Sequence, residues 1–299
     1  MPIRSWGAFL LLGSIWGSSF LWIKIALDEL GPFTLVGFRL LFGALGMLLV
    51  LLVRRPAFPR DSKTWLMLAL MGLTNTALPF VLISWGEIMI DSSVASILNS
   101  TTPLFTLVIA HFFLSDERMT VPRALGLVLG FVGILLLFSR DLGLQGFQTG
   151  LMGQAAVLAA AISYAGSSVF ARRAFRKVPL LIQAAVPLFA ADVLIWGGAL
   201  AIESPLKLPD LPITWIALVW LGLLGSCVAY LLYFYLINNE GSTRSTLVTY
   251  MFPVIGVALG VLFLNEKLDM RLIIGALMVV AGIGVVNWKP RPARGQDEA

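Results

Sequence analysis

The sequence has few charged residues, and this scarcity excludes most classes of protein. Only 12% of its 299 residues are Asp, Glu, Lys or Arg, whereas 59% are hydrophobic and the mean hydropathy is +0.92. An average soluble domain is roughly 25% charged, because charged residues cover its surface. The composition therefore argues against a soluble enzyme, a nucleic-acid-binding protein and a disordered chain.

The chain also lacks the residues and motifs of common catalytic sites. It has one cysteine, Cys227, so no disulfide can form within it, and one histidine, His111, with no partner for a serine dyad. The motifs H-E-x-x-H, G-x-S-x-G and G-x-x-x-x-G-K-[ST] are absent. We predict a protein that is not an enzyme and that uses no metal, ATP or other cofactor.

Long hydrophobic runs are what the sequence has in abundance. A membrane-spanning helix takes about 20 residues, so ten of them occupy roughly 200 and leave no room for a soluble domain. The pattern predicts an all-α, multi-pass integral protein of the cell (inner or plasma) membrane with ten transmembrane helices. We place them at 7–27, 33–53, 64–85, 93–114, 121–139, 149–171, 179–201, 213–236, 244–264 and 270–288.

The positive charges predict the orientation of these helices. If the amino terminus is cytoplasmic, 15 of the 21 Lys and Arg residues lie on the cytoplasmic side, five lie outside, and Arg39 lies within a span. Cytoplasmic loops of membrane proteins carry an excess of Lys and Arg. We therefore expect both termini in the cytoplasm, and the net charge of +5 needs no nucleic acid partner.

The two halves of the sequence match each other at an offset of 149–150 residues. Matching elements are Ser14-x-x-Gly17-Ser18-Ser19 with Ser163-x-x-Gly166-Ser167-Ser168, Trp65 with Trp215, Ser92 with Ser242, Pro103 with Pro253, and Glu117-Arg118 with Glu266-Lys267. Each half holds five helices, an odd number, so the halves have opposite orientations in the membrane. We predict two inverted five-helix repeats, 7–139 and 149–288, followed by a cytoplasmic tail, 289–299. Inverted repeats are a recurring plan of secondary transporters.

Several short motifs resemble those of EamA-type members of the drug/metabolite transporter superfamily, which have two five-helix repeats. They are Trp16-Gly17-Ser18-Ser19-Phe20, Phe38-Arg39, Thr102-Pro103-Leu104-Phe105 with Glu117-Arg118, and Phe252-Pro253 with Asn265-Glu266-Lys267. The resemblance spans residues 7–288. It implies export as the commonest direction and a central cavity built mainly from helices 1, 3, 4, 6, 8 and 9, but it does not specify the solute.

The fourth and ninth predicted helices carry the clearest candidate site. Ser96, Asn99, Ser100 and Pro103 share one helix face, and their repeat mates are Thr246, Thr249, Tyr250 and Pro253. Each proline frees the carbonyl four residues earlier, that of Asn99 or of Thr249. Proline-interrupted segments in corresponding positions indicate a transporter binding site, so we predict that Ser96, Asn99, Thr102, Thr249 and Tyr250 bind solute. The alternative is that these hydroxyls only satisfy the kinks and join helices.

Further candidates lie on the first, third, sixth and eighth helices. Asn75 with a third kink at Pro79, and the aromatic residues Trp16, Tyr164, Tyr230 and Tyr233, would form a cavity for an amphipathic solute. The alternative for the aromatic residues is packing or contact with the membrane interface.

Intramembrane charges form a third candidate group. Arg39 is the only charge well inside a helix, and Lys24 and Glu87 are expected near the same side of the membrane. We favour a structural charge network of the three over the binding of a solute carboxylate by Arg39. Asp192 is a candidate protonation site.

Taken together, the sequence predicts an exporter of small organic metabolites, such as amino acids or related amphipathic solutes, that works by alternating access. The alternatives are an importer or facilitator of the same fold, a channel, or an intramembrane enzyme. Its expected partners are the solute and membrane lipid. Small-residue motifs such as Gly126-x-x-x-Gly130 and Gly256-x-x-x-Gly260 let helices pack closely and are compatible with a monomer or a homodimer.

Overall fold

The computed structural model describes residues 2–114, 119–139, 147–175, 177–240 and 245–287, and its regular structure there is helical. Ten helical segments are long and apolar enough to cross a membrane, as predicted. They are α1 Ile3–Leu27, α2 Pro32–Arg54, α3 Ser62–Met89, α4 Ser92–Phe113, α5 Val121–Phe138, α6 Gln148–Ala174, α7 Leu180–Ile202, α8 Pro212–Glu240, α9 Thr246–Leu264 and α10 Met270–Asn287.

Successive spans run in opposite directions, so the connections alternate between two faces of the helical bundle. We call face A the face at which α1 begins and face B the face at which α1 ends. Large apolar side chains such as Leu49, Val53 and Phe112 are exposed on the outside of the bundle. This apolar exterior suits contact with lipid chains rather than water.

Five of the ten helices are interrupted, and four of the interruptions correspond between the two halves. In α3 and α8, π-helical segments occupy Leu73–Ala77 and Trp220–Val228. In α4 the helix stops at Asn99 and resumes at Thr102, whereas α9 begins with a 3₁₀ segment, Thr246–Tyr250. The fifth interruption lies at Ser18 in α1, whose repeat mate α6 is continuous.

Equivalent hydrogen bonds recur in both repeats. The indole N–H of Trp65 donates to Pro59 O at 3.0 Å, and that of Trp215 donates to Pro209 O at 3.1 Å. The offset of 150 residues is thus visible in the contacts themselves. The matches that involve Glu117, Arg118 and Ser242, and the predicted tail 289–299, lie outside the described residues.

Glycines hold α5 and α10 in close contact. A Cβ atom at Gly126 would lie 2.7 Å from Gly282 O, and one at Gly133 would lie 2.9 Å from Gly275 O. Small residues allow this approach, and dispersion between closely packed backbones then favours the pair. The predicted packing role of these glycines is confirmed, and it places α5 and α10 side by side at the edge of the site-forming helices.

A substitution in this contact is expected to destabilise the bundle. In Gly282→Ala the new Cβ would lie 2.6 Å from both Gly126 O and Gly130 N, and backbone atoms cannot move aside as a side chain can. We expect a loss of about 1–3 kcal/mol, the usual effect of overpacking, seen as a lower thermal midpoint in detergent. The matched control is Gly284→Ala on the same helix, where nothing lies within 4 Å. Equal midpoints for the two variants would contradict the proposed packing.

Candidate functional site

The bundle encloses a cavity of about 620 Å³ between the two halves. Its outer lining consists of Leu114, Arg123, Arg172 and Asn287, which lie at the face A ends of α4, α5, α6 and α10. Its deepest lining includes Ile23 and Ile83, four and six residues before the face B ends of α1 and α3. The cavity therefore opens toward face A and ends about 6–9 Å short of face B, at 1.5 Å per helical residue.

Face B is held closed by three glutamates, Glu29, Glu203 and Glu266, which we call the face B carboxylates. Each lies in a connection at face B and accepts hydrogen bonds from the start of a helix in the other half of the chain. The first-turn N–H groups of a helix have no partner within it, and the helix dipole favours a negative charge there. Each carboxylate therefore joins the two repeats through backbone groups.

The Glu203 carboxylate binds the start of α2. It accepts hydrogen bonds from Phe33 N at 2.9 Å, Thr34 N at 2.8 Å and Thr34 Oγ1 at 2.7 Å. The Glu266 carboxylate binds the start of α4 in the same way, with Ser92 N at 2.7 Å, Ser93 N at 3.0 Å and the Ser93 hydroxyl as donors.

The Glu29 carboxylate completes the set at the start of α8. Its donors are Leu211 N at 3.1 and 3.2 Å, Asp210 N at 3.2 Å and the Thr214 hydroxyl. These bonds, the Thr214 hydroxyl foremost, favour the ionised form and hold the pKa of Glu29 below its ordinary value, against a smaller opposing effect of desolvation.

Most of the residues predicted from the sequence to bind solute do line the cavity. These are Trp16, Asn75, Asn99, Thr102, Tyr164, Tyr230, Tyr233 and Thr249, together with the kink residue Pro103. The helices that supply them are 1, 3, 4, 6, 8 and 9, which is the set that the family resemblance implied.

The break in α4 puts polar groups at the deep part of the cavity. The Asn99 carbonyl, which Pro103 leaves without a helical donor, accepts a hydrogen bond from Thr102 Oγ1 at 2.8 Å. The side-chain Oδ1 of Asn99 is buried and has no hydrogen-bond partner among the described residues. A buried acceptor without a donor is unfavourable, and Asn99 lines the cavity, so rotation of its amide toward the cavity would let this oxygen accept a hydrogen bond from a bound molecule.

Aromatic rings form one wall of the cavity around Trp16. The ring centroids of Tyr233, Tyr230 and Phe252 lie 5.5, 6.2 and 6.3 Å from that of Trp16. The Trp16 indole N–H donates to Gly225 O at 3.0 Å, within the π-helical segment of α8. Irregular backbone in one half is thus bonded to the tryptophan of the other.

Arg39 lies at the deep end of the cavity, and its surroundings differ from the predicted charge network. Its Nε donates to Ser226 Oγ at 3.2 Å, and its guanidinium carbon lies 3.8 Å from the centre of the Phe80 ring. Among the described residues no carboxylate lies within ion-pair distance of it. A guanidinium has five N–H donors, so Arg39 retains donors for a molecule in the cavity.

The other two members of that predicted network lie behind the cavity, toward face B. Lys24 Nζ donates to the main-chain oxygens of Glu87 and Ile90, the latter at 2.8 Å. The Glu87 carboxylate oxygens are buried, and no described residue forms a hydrogen bond with them. Direct ion pairing of Glu87 with Lys24 or Arg39, which we favoured from the sequence, is therefore not observed, because the lysine binds the carbonyl end of α3 instead.

Four further predicted residues lie outside the cavity lining. Ser96 is fully buried, with its hydroxyl bonded to Ser93 O, because it packs against Gly256 of α9. The Tyr250 hydroxyl accepts a hydrogen bond from Asn287 Nδ2 at 3.1 Å. Of these two residues, Asn287 lines the cavity and Tyr250 does not. Pro79 and Pro253 shape α3 and α9 without contributing to the lining.

Sequence reasoning missed several lining residues. Among them are Ser19, Thr106, Arg123, Ser168, Arg172 and Asn287. Thr106 continues the Asn99–Thr102 face by one turn, so its spacing was a usable signal. The sequence analysis counted Arg123 and Arg172 only as positive charges on one side of the membrane. Such a count does not show whether an arginine lies at the opening of a cavity or in a loop.

Comparison with known proteins gives consistent results. Two segments of the chain, 5–139 and 151–288, match the model of the EamA-like transporter family. The chain is 28% identical over 276 residues to "Uncharacterized transporter YoaV" of Bacillus subtilis, covering 90% of this chain and 91% of that protein. It is 31% identical over 255 residues to "Uncharacterized inner membrane transporter YedA" of Escherichia coli, covering 85% and 81%.

A more distant relative carries a more specific description. The "Probable amino-acid metabolite efflux pump" of Escherichia coli is 26% identical over 298 residues, covering 94% of this chain and 95% of that protein. A protein of known crystal structure superposes with a TM-score of 0.68 at 20% identity, covering 94% and 96% of the two chains. That likeness concerns the fold alone.

The pKa of Glu29 gives a test of the closure of face B. Because its pKa is lowered in the folded state, its contribution to stability is present above the ordinary value of 4.5 and is lost as the pH falls through the lowered value. We expect Glu29→Gln to lower the thermal midpoint at pH 7 and to lower it by less at pH 3. The control is Asp28→Asn at the exposed neighbouring position. A midpoint difference for Glu29→Gln that is the same at both pH values would contradict this role.

Proposed function

This chain belongs to the EamA-like transporter family, and from that premise we propose that it exports small organic metabolites, amino acids or related amphipathic solutes, by alternating access. The observation that carries the proposal is the cavity itself, which opens to face A, is lined by both repeats and stops behind the closed face B. In a secondary transporter, a conformation with such a cavity binds solute from the side of the membrane to which the cavity opens.

The charges on the two faces support export as the direction. Face A carries the excess of Lys and Arg, so it is the cytoplasmic face under the positive-inside rule. The cavity then receives solute from the cytoplasm, which is where an exporter loads. An importer or facilitator of the same fold would pass through the same conformation, so flux measurements must separate them.

The chemistry of the lining indicates the kind of solute. Arg39 offers N–H donors suited to a carboxylate, and Asn99 Oδ1 offers an acceptor suited to an ammonium or hydroxyl group. The aromatic wall around Trp16 provides an apolar surface. An amino acid with an apolar side chain satisfies all three, and the description of the Escherichia coli efflux pump relative is compatible with such a solute.

Within this proposal the residues have distinct roles. Arg39 and Asn99 bind the polar groups of the solute, Thr102, Thr249 and Asn75 add hydrogen bonds, and the aromatic residues enclose its apolar part. These aromatic residues are Trp16, Tyr164, Tyr230 and Tyr233. Pro103 and Pro253 let α4 and α9 change shape between states.

The first experiment compares the medium of cells that contain wild-type protein, Asn99→Ala or no protein. Untargeted metabolite profiling should find a compound that accumulates outside with the wild type but not with Asn99→Ala or without the protein, because Asn99→Ala removes a buried acceptor worth about 1–3 kcal/mol to a bound donor. The matched control is Ser96→Ala, one turn away on the same helix but outside the cavity.

Each outcome of this comparison has a single interpretation when the wild type and the variants are present in equal amounts of folded protein. Export by Ser96→Ala but not by Asn99→Ala supports the proposed site. Export that Asn99→Ala leaves unchanged would refute the site assignment, and net uptake of the compound in proteoliposomes oriented as in the cell would favour the importer.

A second pair of variants tests the carboxylate anchor. With the exported compound available, Arg39→Gln should weaken its binding about 10- to 100-fold, the equivalent of a hydrogen bond to a charged group. Arg39→Lys keeps the charge and should lose less, because only the planar geometry is lost. Isothermal titration on purified protein measures both. Unchanged affinity with lower thermal stability would instead assign Arg39 the structural role that the sequence favoured.

A further inference from the structure

Glu87 lies between the cavity floor and the closed face B. It is one helical turn beyond Ile83, which lines the floor, and two residues before the end of α3. Its side chain is fully buried, with an exposed fraction of 0%. Side chains on a helix lean toward its amino terminus, which for α3 lies at face A.

The carboxyl group of Glu87 makes no hydrogen bond within the part of the chain that the structure describes. Both Oε1 and Oε2 are buried without a partner there, and so is the hydroxyl of Ser84, one turn earlier on the same face of α3. An ionised carboxylate without donors is very costly to bury, whereas a neutral carboxyl group is much less so. The geometry is therefore that of a carboxyl group that holds a proton.

The neighbouring charges are consistent with a neutral Glu87. Lys24, Glu266 and Arg39 are the charged groups close enough to act on it electrostatically. Lys24 directs its ammonium group to the carbonyl oxygens of Glu87 and Ile90 rather than to the carboxyl group, and Arg39 is bonded to Ser226. The charges of α6, which packs on α3 through Gly153 and Gly86, lie at its other end, at Arg172 and Arg173.

We propose that Glu87 is a proton-binding site that takes up one proton from water at face B when that face closes and returns it to that water when the face opens. The proposal rests on the alternating access proposed above. Opening face B must separate Glu266 from the start of α4, which lies three residues beyond the end of α3. Water that enters there can solvate the ionised carboxylate, and its attraction to Lys24 and Arg39 is then no longer opposed by burial.

Proton binding at Glu87 makes the conformational equilibrium depend on pH. Low pH favours the state with face B closed, and high pH favours the state with face B open, because only the closed state requires the proton. For a single proton the ratio of open to closed protein can rise by at most about tenfold per pH unit.

The experiment measures the opening of face B directly and needs no solute. Spin labels are placed at Asp28 and Leu268, exposed face B positions in the first and second halves, in a Cys227→Ala background that removes the single native cysteine. Distances between the labels are measured by pulsed electron paramagnetic resonance in lipid nanodiscs between pH 5.5 and 8.5.

The wild type is expected to gain a longer distance as the pH rises, with the ratio of long to short distances increasing several-fold per unit over part of the range. Glu87→Gln, which stays neutral, should keep the short distance throughout, whereas Glu87→Asp should titrate. The control Asp192→Asn changes another intramembrane carboxyl group, one that does not line the cavity, and should titrate as the wild type does.

Three results would overturn the proposal. They are a wild-type distribution that does not change with pH, a Glu87→Gln protein that titrates like the wild type, and a Glu87→Gln protein that is open at every pH. If Glu87→Gln does not fold, the pH titrations of the wild type and of Glu87→Asp still test the proposal. Because no solute is present, failure of the export assay leaves this test intact, and the reverse also holds.

Discussion

The architecture depends on the cost of leaving backbone hydrogen-bonding groups unpaired in a membrane. Irregular backbone at membrane depth is tolerated only where other protein groups or water satisfy it. The interrupted helices α1, α3, α4, α8 and α9 therefore gather around one cavity, where hydroxyls and indole groups take up the freed carbonyls, as Thr102 does for Asn99 and Trp16 for Gly225. The uninterrupted pair α5 and α10 needs no such partners and packs at the edge through glycines.

This constraint explains how much of the molecule the sequence predicts. Hydropathy gives the ten spans, and the offset of the repeats gives their arrangement in two halves. The proline at position 103 marks the break in α4. Asn99 and Thr102, the amide and hydroxyl residues beside it that were expected in the cavity, do line it. The pattern does not specify how each helix is rotated about its own axis, and this rotation decides which side chains face the cavity. Ser96 was therefore expected in the cavity, although it packs against Gly256.

Contacts between distant segments were also beyond the sequence. From the sequence, the face B carboxylates are indistinguishable from ordinary charged residues in loops. Nothing in their local pattern indicates that each binds the start of a helix some 170 to 180 residues away. Arg39 illustrates the same difficulty. A lone intramembrane arginine is compatible with an ion pair or a solute site, and only the positions of Ser226 and Phe80 distinguish the two arrangements.

The contacts at face B have no full counterpart in the sequence of the other half, so the two access states proposed above are expected to differ in energy. The repeat mates of Glu29 are Val178 and Pro179, those of Glu203 are Val53 and Arg54, and only Glu266 has an acidic mate, Glu117. A perfectly symmetric pair of halves would populate both states equally, whereas carboxylates bonded to helix starts on one face stabilise closure of that face. The mates of Glu87 are Leu236 and Ile237, so the proposed proton site has no counterpart in the sequence of the second half. In the proposed transport cycle, acidic groups placed on one side of an otherwise repeated plan thus favour a resting state that is open to face A. A solute that binds the other state more tightly, or deprotonation of Glu87, then shifts the equilibrium toward opening of face B.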